Sequence, residues 1–524
     1  MKVCILAAGI GGRLGNLTKN FNKAFIRIGD MGAISHIINY FPKHYEFIIT
    51  TGYLGDELEQ YVKLCHPDLN IRFVKNVIYS GSGAGPGYSL NTCNEFLQEP
   101  FYIWTTDTLV NDFSITEDHN WIGYCEAKNE DGEYSCVDVD GENVINNFYE
   151  KKENVYTNNA YIGCSFVLDY ENFWKGMANN PITIQNQFQV SAGFNSLLQN
   201  NIVYGKKLQW HDTGNLEKLQ KTREQFPAKI KNLDKDDEEI YFFNNEFVVK
   251  YFKDENFAQN RIKRNITLGN TVPKIFRSSK NFYVYEYIVG KDLFAIDKPQ
   301  ECFLNLLNFA NEQLWQPRKL NPEEFKKFQE TCVDFYYKKT KIRLDKLYEK
   351  LHLYDKQDTI NYKKIPLLND ILENLDWPNL LNGKPTLMHG DFNFSNIIFQ
   401  NNNSFKFIDW RQDFGGMLEV GDMYYDLAKM YSGFLFPHDT IKEGSFQLKI
   451  ERENVEVHLH EYEKYTECKK IFINFLNEKN IDTKKVKQLA AIVLLNMSPL
   501  HEFPLNVYLY YCGKYLLWKY VNER

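Results

Sequence analysis

Residues 6–15 read Leu-Ala-Ala-Gly-Ile-Gly-Gly-Arg-Leu-Gly, and they follow directly on the apolar run Val3-Cys4-Ile5-Leu6. An unbroken apolar run of this length predicts a strand buried on both faces, as in a parallel sheet. A strand that runs into glycines and then a helix leaves backbone N–H groups pointing outward, where a phosphate can sit. The dinucleotide fingerprint needs glycine at its first, third and sixth positions. Gly9 and Gly11 fit, but the sixth position is Leu14 and Gly15 falls one residue late. No Gly-Lys-Ser or Gly-Lys-Thr follows, which removes the P-loop as well. The stretch does offer Arg13 in the loop and Lys23 shortly after it, in Asn22-Lys23-Ala24-Phe25. A forked guanidinium and a point-charge ammonium at one glycine turn suit a triphosphate that is attacked and releases pyrophosphate. Arg13 would hold the leaving β,γ-phosphates and Lys23 would sit near the α-phosphate.

Residues 6–28, LAAGIGGRLGNLTKNFNKAFIRI, resemble the signature of the sugar-phosphate nucleotidyltransferases, including their choline-phosphate cytidylyltransferase branch. The resemblance implies a Rossmann-like domain in which Ala8, Gly9, Gly11 and Gly12 line the nucleotide. Nucleotidyl transfer calls for Mg²⁺, which takes hard oxygen ligands such as one or two carboxylates. The strand expected at Phe101-Tyr102-Ile103-Trp104 leads into Thr105-Thr106-Asp107, and a carboxylate past the C-terminal end of a parallel strand faces the ligand crevice. The resemblance makes Asp107 a metal ligand. Trp210-His211-Asp212-Thr213-Gly214-Asn215 is similar to the family's W-x-D-x-G-T element, which gives Asp212 as the second ligand and leaves His211 a bystander. Phe148-Tyr149-Glu150-Lys151 resembles an E-K pair whose lysine meets the acceptor's phosphate, so Lys151 is assigned that contact. Gly83-Ala84-Gly85-Pro86-Gly87-Tyr88-Ser89 corresponds to the loop that cups base and ribose, with Gly85 and Ser89 as its contacts. One departure stands out: the family's Gly-Lys-Pro near residue 30 is here Gly29-Asp30-Met31.

At 524 residues the chain exceeds one ordinary domain. Lys and Arg total 61 against 68 Asp and Glu, a net charge of −7 with both signs mixed, which argues against nucleic-acid or anionic-membrane binding. The 10 cysteines are scattered without a Cys-x-x-Cys pair, as expected of reduced thiols in a cytoplasmic protein. The apolar run Leu489–Met497 is too short to span a bilayer, so no membrane insertion is expected.

The expected fold class is α/β. A mainly parallel sheet domain at 1–227 is followed by a charged linker at 228–238, AKIKNLDKDDE, and a two-lobed kinase-like α+β domain at 239–524. Its small lobe, about 239–295, would hold strands at Ile240–Phe243, Phe247–Phe252 and Phe282–Tyr287; its large lobe, about 296–524, reads as helical from about 300 to 376. The second motif lies there. Residues 389–396 are His-Gly-Asp-Phe-Asn-Phe-Ser-Asn, with Ile408-Asp409-Trp410 downstream. Phosphoryl transfer to a hydroxyl needs a carboxylate for the hydroxyl proton and oxygen ligands for Mg²⁺. The pattern resembles the aminoglycoside phosphotransferase and choline kinase superfamily. That resemblance implies Asp391 as catalytic base, Asn396 and Asp409 as Mg²⁺ ligands, Asp426 as a structural carboxylate and His389 as a brace. It also implies Lys250 at the ATP phosphates and Glu286-Tyr287 at the adenine. A glycine-rich loop before Lys250 is missing, and no glutamate stands in 259–265, QNRIKRN, to pair with it.

Together the two resemblances imply a bifunctional kinase and nucleotidyltransferase that uses ATP and CTP to activate a small sugar or polyol for surface polysaccharide. Choline or another amino alcohol is the alternative acceptor, and a transferase with an inactive kinase-like scaffold is the alternative architecture. Arg411 suits a hydroxylated or anionic acceptor better than a cation. An oligomer is compatible with the sequence.

Overall fold

The protein is described from a computed structural model covering residues 1–127, 132–151, 157–179, 181–229, 237–400, 404–436, 446–451, 454–459 and 462–523. Residues 230–236 of the expected linker fall outside these. Two compact units emerge, Met1–Glu255 with Phe276–Tyr285, and Asn256–Ile275 with Glu286–Arg524.

In the first unit, β1 (Lys2–Leu6) lies between β2 (Glu46–Thr51) and β4 (Phe101–Thr105), and β3 (Asn70–Lys75) extends the sheet beyond β2, all parallel. Alternate side chains enter two separate cores: Val3, Ile5, Phe47, Ile49, Tyr102 and Trp104 on one face, Cys4, Leu6, Ile48, Phe101 and Ile103 on the other. Burial on both faces is why these strands read as unbroken apolar runs and not as alternating ones. Beyond β4 antiparallel pairings enter the sheet. After β5 (Thr108–Asn111) and β6 (Asn120–Glu126) come β7 (Cys136–Val139), β8 (Ile145–Tyr149) and β9 (Asn159–Val167), and β9 pairs with β4, β6 and β7. The result is a mixed sheet with a parallel centre.

The small sheet expected to open the second domain packs into the first unit. It comprises β12 (Glu238–Phe243), β13 (Phe247–Phe252), β14 (Ile275–Ser278) and β15 (Phe282–Glu286), after β10 (Val203–Lys207) and β11 (Gln209–Asp212). Tyr241, Phe243, Val249, Tyr251, Phe282 and Val284 join the core that holds Val3 and Phe25. Tyr241 Oη donates to Phe25 O at 2.8 Å, Tyr251 Oη donates to Asn20 O at 2.8 Å, and Arg27 pairs with Glu239 at 2.9 Å. The Gly29-Asp30 departure has a structural use: Asp30 O accepts from Phe242 N at 2.8 Å and Asp30 Oδ1 from Lys229 N at 2.9 Å. Asp30 therefore ties the small sheet to the larger sheet domain. Between β12 and β13, Asn244 and Asn245 sit at φ +48° and +59°, a tight hairpin turn of the kind asparagine tolerates, at the place where the kinase resemblance implies a glycine-rich loop.

The second unit is mostly helical. The stretch expected to be helical to about 376 is interrupted by a hairpin, Asp358–Ile360 with Lys363–Ile365, which pairs with Asn454–Val457 far along the chain. That pairing is a tertiary event, and local propensity carries no sign of it. Among the described residues no helix is long and apolar enough to cross a membrane.

Candidate active sites

In the first unit the site is built by strand pairing. β5 and β11 run antiparallel with Asp212 opposite Thr108, so the second carboxylate arrives beside Asp107. Thr213 N donates to Asp107 O at 3.1 Å and locks the two segments together. A Cβ added to Gly214 would lie 2.9 Å from Asp212 Oδ1, 3.6 Å from Arg13 Nη2 and 3.7 Å from Asp107 Oδ2. Three residues chosen from distant segments thus surround one glycine, and the space between them is what a side chain there would fill.

Lys23 Nζ is 2.6 Å from Asp107 Oδ2. Burial by itself would raise the Asp107 pKa, but the Lys23 ammonium overrides it and holds the carboxyl well below its usual range. Asp212 Oδ1 accepts from Gly214 N at 2.7 Å, while Oδ2 lies 3.1 Å from Lys218 and accepts from Tyr134 Oη at 3.2 Å. Glu133 closes the ring, 2.7 Å from Lys218 and 3.5 Å from Arg13. The sequence reading missed Glu133, Tyr134 and Lys218, which carry no motif. Two converging carboxylates are a hard-oxygen pair suited to Mg²⁺. Among the described residues no group of three or more His, Cys, Asp or Glu gathers as a richer metal site would need.

The glycine loop is folded as its residues require. Gly11 takes φ +70°, and a Cβ there would press on Thr18 Cγ2 at 3.1 Å and Lys23 Cβ at 3.2 Å, so the loop wraps closely over Lys23. Cβ atoms on Gly9 or Gly12 would meet nothing within 4 Å, which leaves those positions open to a ligand. Ala8 is buried and its carbonyl accepts from Tyr53 N at 3.0 Å. The Lys151 side chain is exposed, yet desolvation of its ammonium and then the nearby Arg13 lower its pKa, against the pull of Asp107, Glu150 and Glu133. Gly85 precedes the short helix Pro86–Asn91 and leaves no room for a Cβ against Phe188 O at 2.5 Å. Ser89 Oγ accepts from Asn76 at 2.7 Å, a contact internal to the fold. His211 packs its ring on Phe226 at 5.1 Å. Lys250 lies buried on β13 of this unit.

In the second unit, Asp391 Oδ1 pairs with Lys429 at 2.8 Å, and Asn396 Nδ2 donates to Asp391 O at 2.9 Å and Oδ2 at 3.0 Å. Burial would raise the Asp391 pKa; Lys429 reverses this and the carboxyl ends below its usual range. Asp409 stands at φ +61° and meets the Arg261 guanidinium. A non-glycine residue held in the left-handed region marks a site where neighbours fix the backbone. Arg261 belongs to the helix Glu255–Leu268, in which a glutamate was sought. The oxygens of Asp391, Asn396 and Asp409 are of the type that holds Mg²⁺.

The loop that carries Asp391 and Asn396 hangs on Asp426. Its two oxygens accept from His389 N and Gly390 N, each at 2.7 Å, and from Trp315 Nε1 at 3.2 Å. Complete burial raises its pKa to about 6 despite these donors. Gly390 takes φ +87°, and a Cβ there would lie 2.5 Å from Arg411 Cβ. His389 Nδ1 accepts from Asp391 N at 3.3 Å, so its Nε2 donates to Ile408 O at 2.9 Å; burial lowers its pKa to about 4 and keeps it neutral. Arg264 donates to Arg411 O at 2.7 Å and also to Met388 O. Lys429 was missed, although it follows Asp426 by three positions on the helix Met423–Leu435, a spacing that places both on one face. Glu286 Oε1 accepts from Lys274 N at 2.9 Å and lies 3.8 Å from Lys406, and Tyr287 follows at the strand end.

Residues 269–445 match the family described as APH, phosphotransferase enzyme family, and this part of the chain is a phosphotransferase domain. The chain is also similar to solved structures of UDP-glucose pyrophosphorylases. One, complexed with UDP-glucose, is 18% identical over 43% of this chain and 97% of its own, with a TM-score of 0.37. Another, from Acinetobacter baumannii, is 16% identical over 43% of this chain and 92% of its own, also at 0.37. No curated protein sequence matches the chain. In the first unit the mixed sheet carries Arg13, Asp107 and Asp212 to one place around Gly214.

Proposed function

We propose that this chain is a bifunctional enzyme in which the second unit phosphorylates a hydroxyl of a small sugar or polyol with ATP, and the first unit joins that phosphate to a nucleotide from CTP. The observation that supports it best is that each unit assembles its own carboxylate set from separate segments, with cations placed against it.

In the kinase step the acceptor oxygen bonds to the γ-phosphorus, the bond from that phosphorus to the ADP oxygen breaks, and Asp391 takes the hydroxyl proton. Asn396 holds Asp391 in place. Mg²⁺, held by Asn396 and Asp409, would supply charge neutralisation at the phosphates. In the transferase step a phosphate oxygen of the acceptor bonds to the α-phosphorus and the bond to the β-phosphate oxygen breaks, releasing pyrophosphate. Arg13 neutralises the departing charge, Lys23 the charge growing at the α-phosphate, and Lys151 guides the incoming phosphate. Asp107 and Asp212 would hold Mg²⁺ there, and Lys23 exchanges its contact with Asp107 for the phosphate.

The test is pyrophosphate release from MgCTP, with and without MgATP, over a panel of free sugars, polyols and amino alcohols. Release that needs both ATP and one acceptor is expected. Release confined to acceptors already phosphorylated would reduce the second unit to a scaffold or to a kinase for another substrate.

A further inference from the structure

Near Asp391 the second unit gathers four cations that act on one another, Lys339, Arg343, Arg411 and Lys429. The helix Pro322–Cys332 runs through a π-helical turn, Val333–Lys338, into the helix Lys339–Leu351. Such turns locally rotate the side chains that follow and recur at functional sites. Here the turn carries Phe335, whose ring packs on Tyr425 at 4.8 Å and Phe414 at 4.7 Å. Two cations cover that one ring: Lys339 Nζ lies 3.8 Å and Arg411 Cζ 4.9 Å from its centroid. Arg411 is fixed by donating its Nε–H to Asp413 O at 3.1 Å. Lys429, one turn after Tyr425, reaches Asp391. Arg343, one turn after Lys339, is anchored on Asn496 O at 2.8 Å.

Burial first, and then Arg411, Arg343 and Lys429, drives the Lys339 pKa down to about 6, with Asp413 pulling the other way. Arg411 also presses on Lys429 and Arg343. Two carboxylates act against this repulsion, Asp391, engaged by Lys429, and Asp413. A cleft of about 530 Å³ shares Lys339 and Arg343 and is otherwise lined by Asp334, Lys338, Ile342 and Lys346. Its single carboxylate is engaged too, since Asp334 lies 2.6 Å from Lys338. Like charges held this close raise the energy of the empty fold, and an anion entering the cluster relieves that cost.

We propose that Lys339, Arg343 and Arg411 form the recognition site for the acceptor, and that the hydroxyl presented to Asp391 belongs to a molecule carrying a phosphate or carboxylate group. The inference rests on the kinase reading above, and it narrows the acceptor to hydroxy acids, sugar acids or sugar phosphates, away from choline. The Phe335 ring, which could help cage a quaternary ammonium, is taken by the protein's own cations, Lys339 and Arg411.

Two experiments on the full chain test it. In the first, MgATP is offered with gluconate, glycerate and glycerol phosphate, with neutral polyols, and with choline and ethanolamine. Phosphorylation of an anionic acceptor is expected, and the members of the panel separate carboxylate from phosphate. Lys339→Met and Arg343→Ala should then raise the acceptor KM about ten- to a hundredfold, the worth of one charge-assisted contact, while the ATP KM stays put and Lys339→Arg restores the acceptor KM. A neutral or cationic acceptor taken in preference, with a KM indifferent to Lys339, would overturn the proposal and leave the kinase reading intact. The second experiment titrates inorganic phosphate calorimetrically without nucleotide. The Lys339→Met/Arg343→Ala protein should bind one phosphate fewer than the wild type, and equal binding would overturn the proposal. If that site is lost in the variant while the wild type transfers phosphate to nothing, the cluster stands and the kinase reading falls. Lys339→Met removes a charge whose neighbours are mostly positive, so folding is not at risk from the substitution.

Discussion

Replacing Tyr241 by Phe tests whether the small sheet holds the transferase-like site in shape. The substitution keeps the ring and removes the hydroxyl that donates to Phe25 O at 2.8 Å. An exposed bond of this kind would be worth about 1 kcal/mol, but here both partners are buried and the carbonyl is left without this donor, so the cost rises to about 1–3 kcal/mol. In a unit of this size, each kcal/mol lowers Tm by about 2–4 °C, so a fall of roughly 2–12 °C is expected. The functional consequence follows from Lys23. It sits in the same short turn, Lys23–Phe25, with its ammonium 2.6 Å from Asp107. A displacement of about 1 Å at a reacting group can cost about a hundredfold, so partial slackening should lower kcat for pyrophosphate release by roughly three- to tenfold. Tyr251→Phe, which removes the hydroxyl that donates to Asn20 O at the other end of the segment, should act in the same direction. The assay pairs thermal unfolding with pyrophosphate release at saturating nucleotide and acceptor. A lowered Tm with unchanged kcat would refute the positioning argument, and an unchanged Tm would refute the hydrogen bond itself.

Three further outcomes follow from the same geometry. Asp107→Asn should cost pyrophosphate release, and Asp391→Asn ATP-dependent phosphorylation, by about 10²–10⁴-fold each, while the other activity survives; loss of both from one substitution would mean that the sites are not separate. A fragment ending at Lys229 loses six apolar core residues of the small sheet, Tyr241 and Phe282 among them. Each is worth roughly 1.5–3 kcal/mol against a total stability of about 5–15 kcal/mol, so it should give no cooperative unfolding transition in near-UV circular dichroism, whereas a well-folded fragment would contradict the shared core. Asp426, with its pKa raised to about 6, binds its proton more tightly when folded than when unfolded. Its contribution to stability therefore falls as pH rises from about 4 to 6, by about 3 kcal/mol, and is level above that. Asp426→Asn should remove this slope from the pH dependence of unfolding measured beside the wild type.

The sequence alone carried the strands of the first sheet, because burial on both faces writes them as apolar runs between turn residues. It also carried the chemistry-bearing side chains of short motifs: Arg13 and Lys23 beside the glycine loop, and Asp391 and Asn396 on one loop. These positions are legible because the residues of each motif are close in sequence. Asp212 was readable only through its motif, since what brings it to Asp107 is the register of β5 with β11. Glu133, Tyr134 and Lys218 were not readable at all, and Lys429 only in hindsight from its helical spacing. The tertiary structure likewise decided where the small sheet belongs. Its aromatic residues are ordinary strand residues in the sequence, and only packing against Phe25 and Tyr61 assigns them to the transferase-like core. The same holds for the cations around Phe335, contributed by Lys339, Arg411 and their neighbours from separate segments. Side-chain type and local spacing are written along the chain, whereas burial, register and the field of one charge on another exist only once distant segments have met.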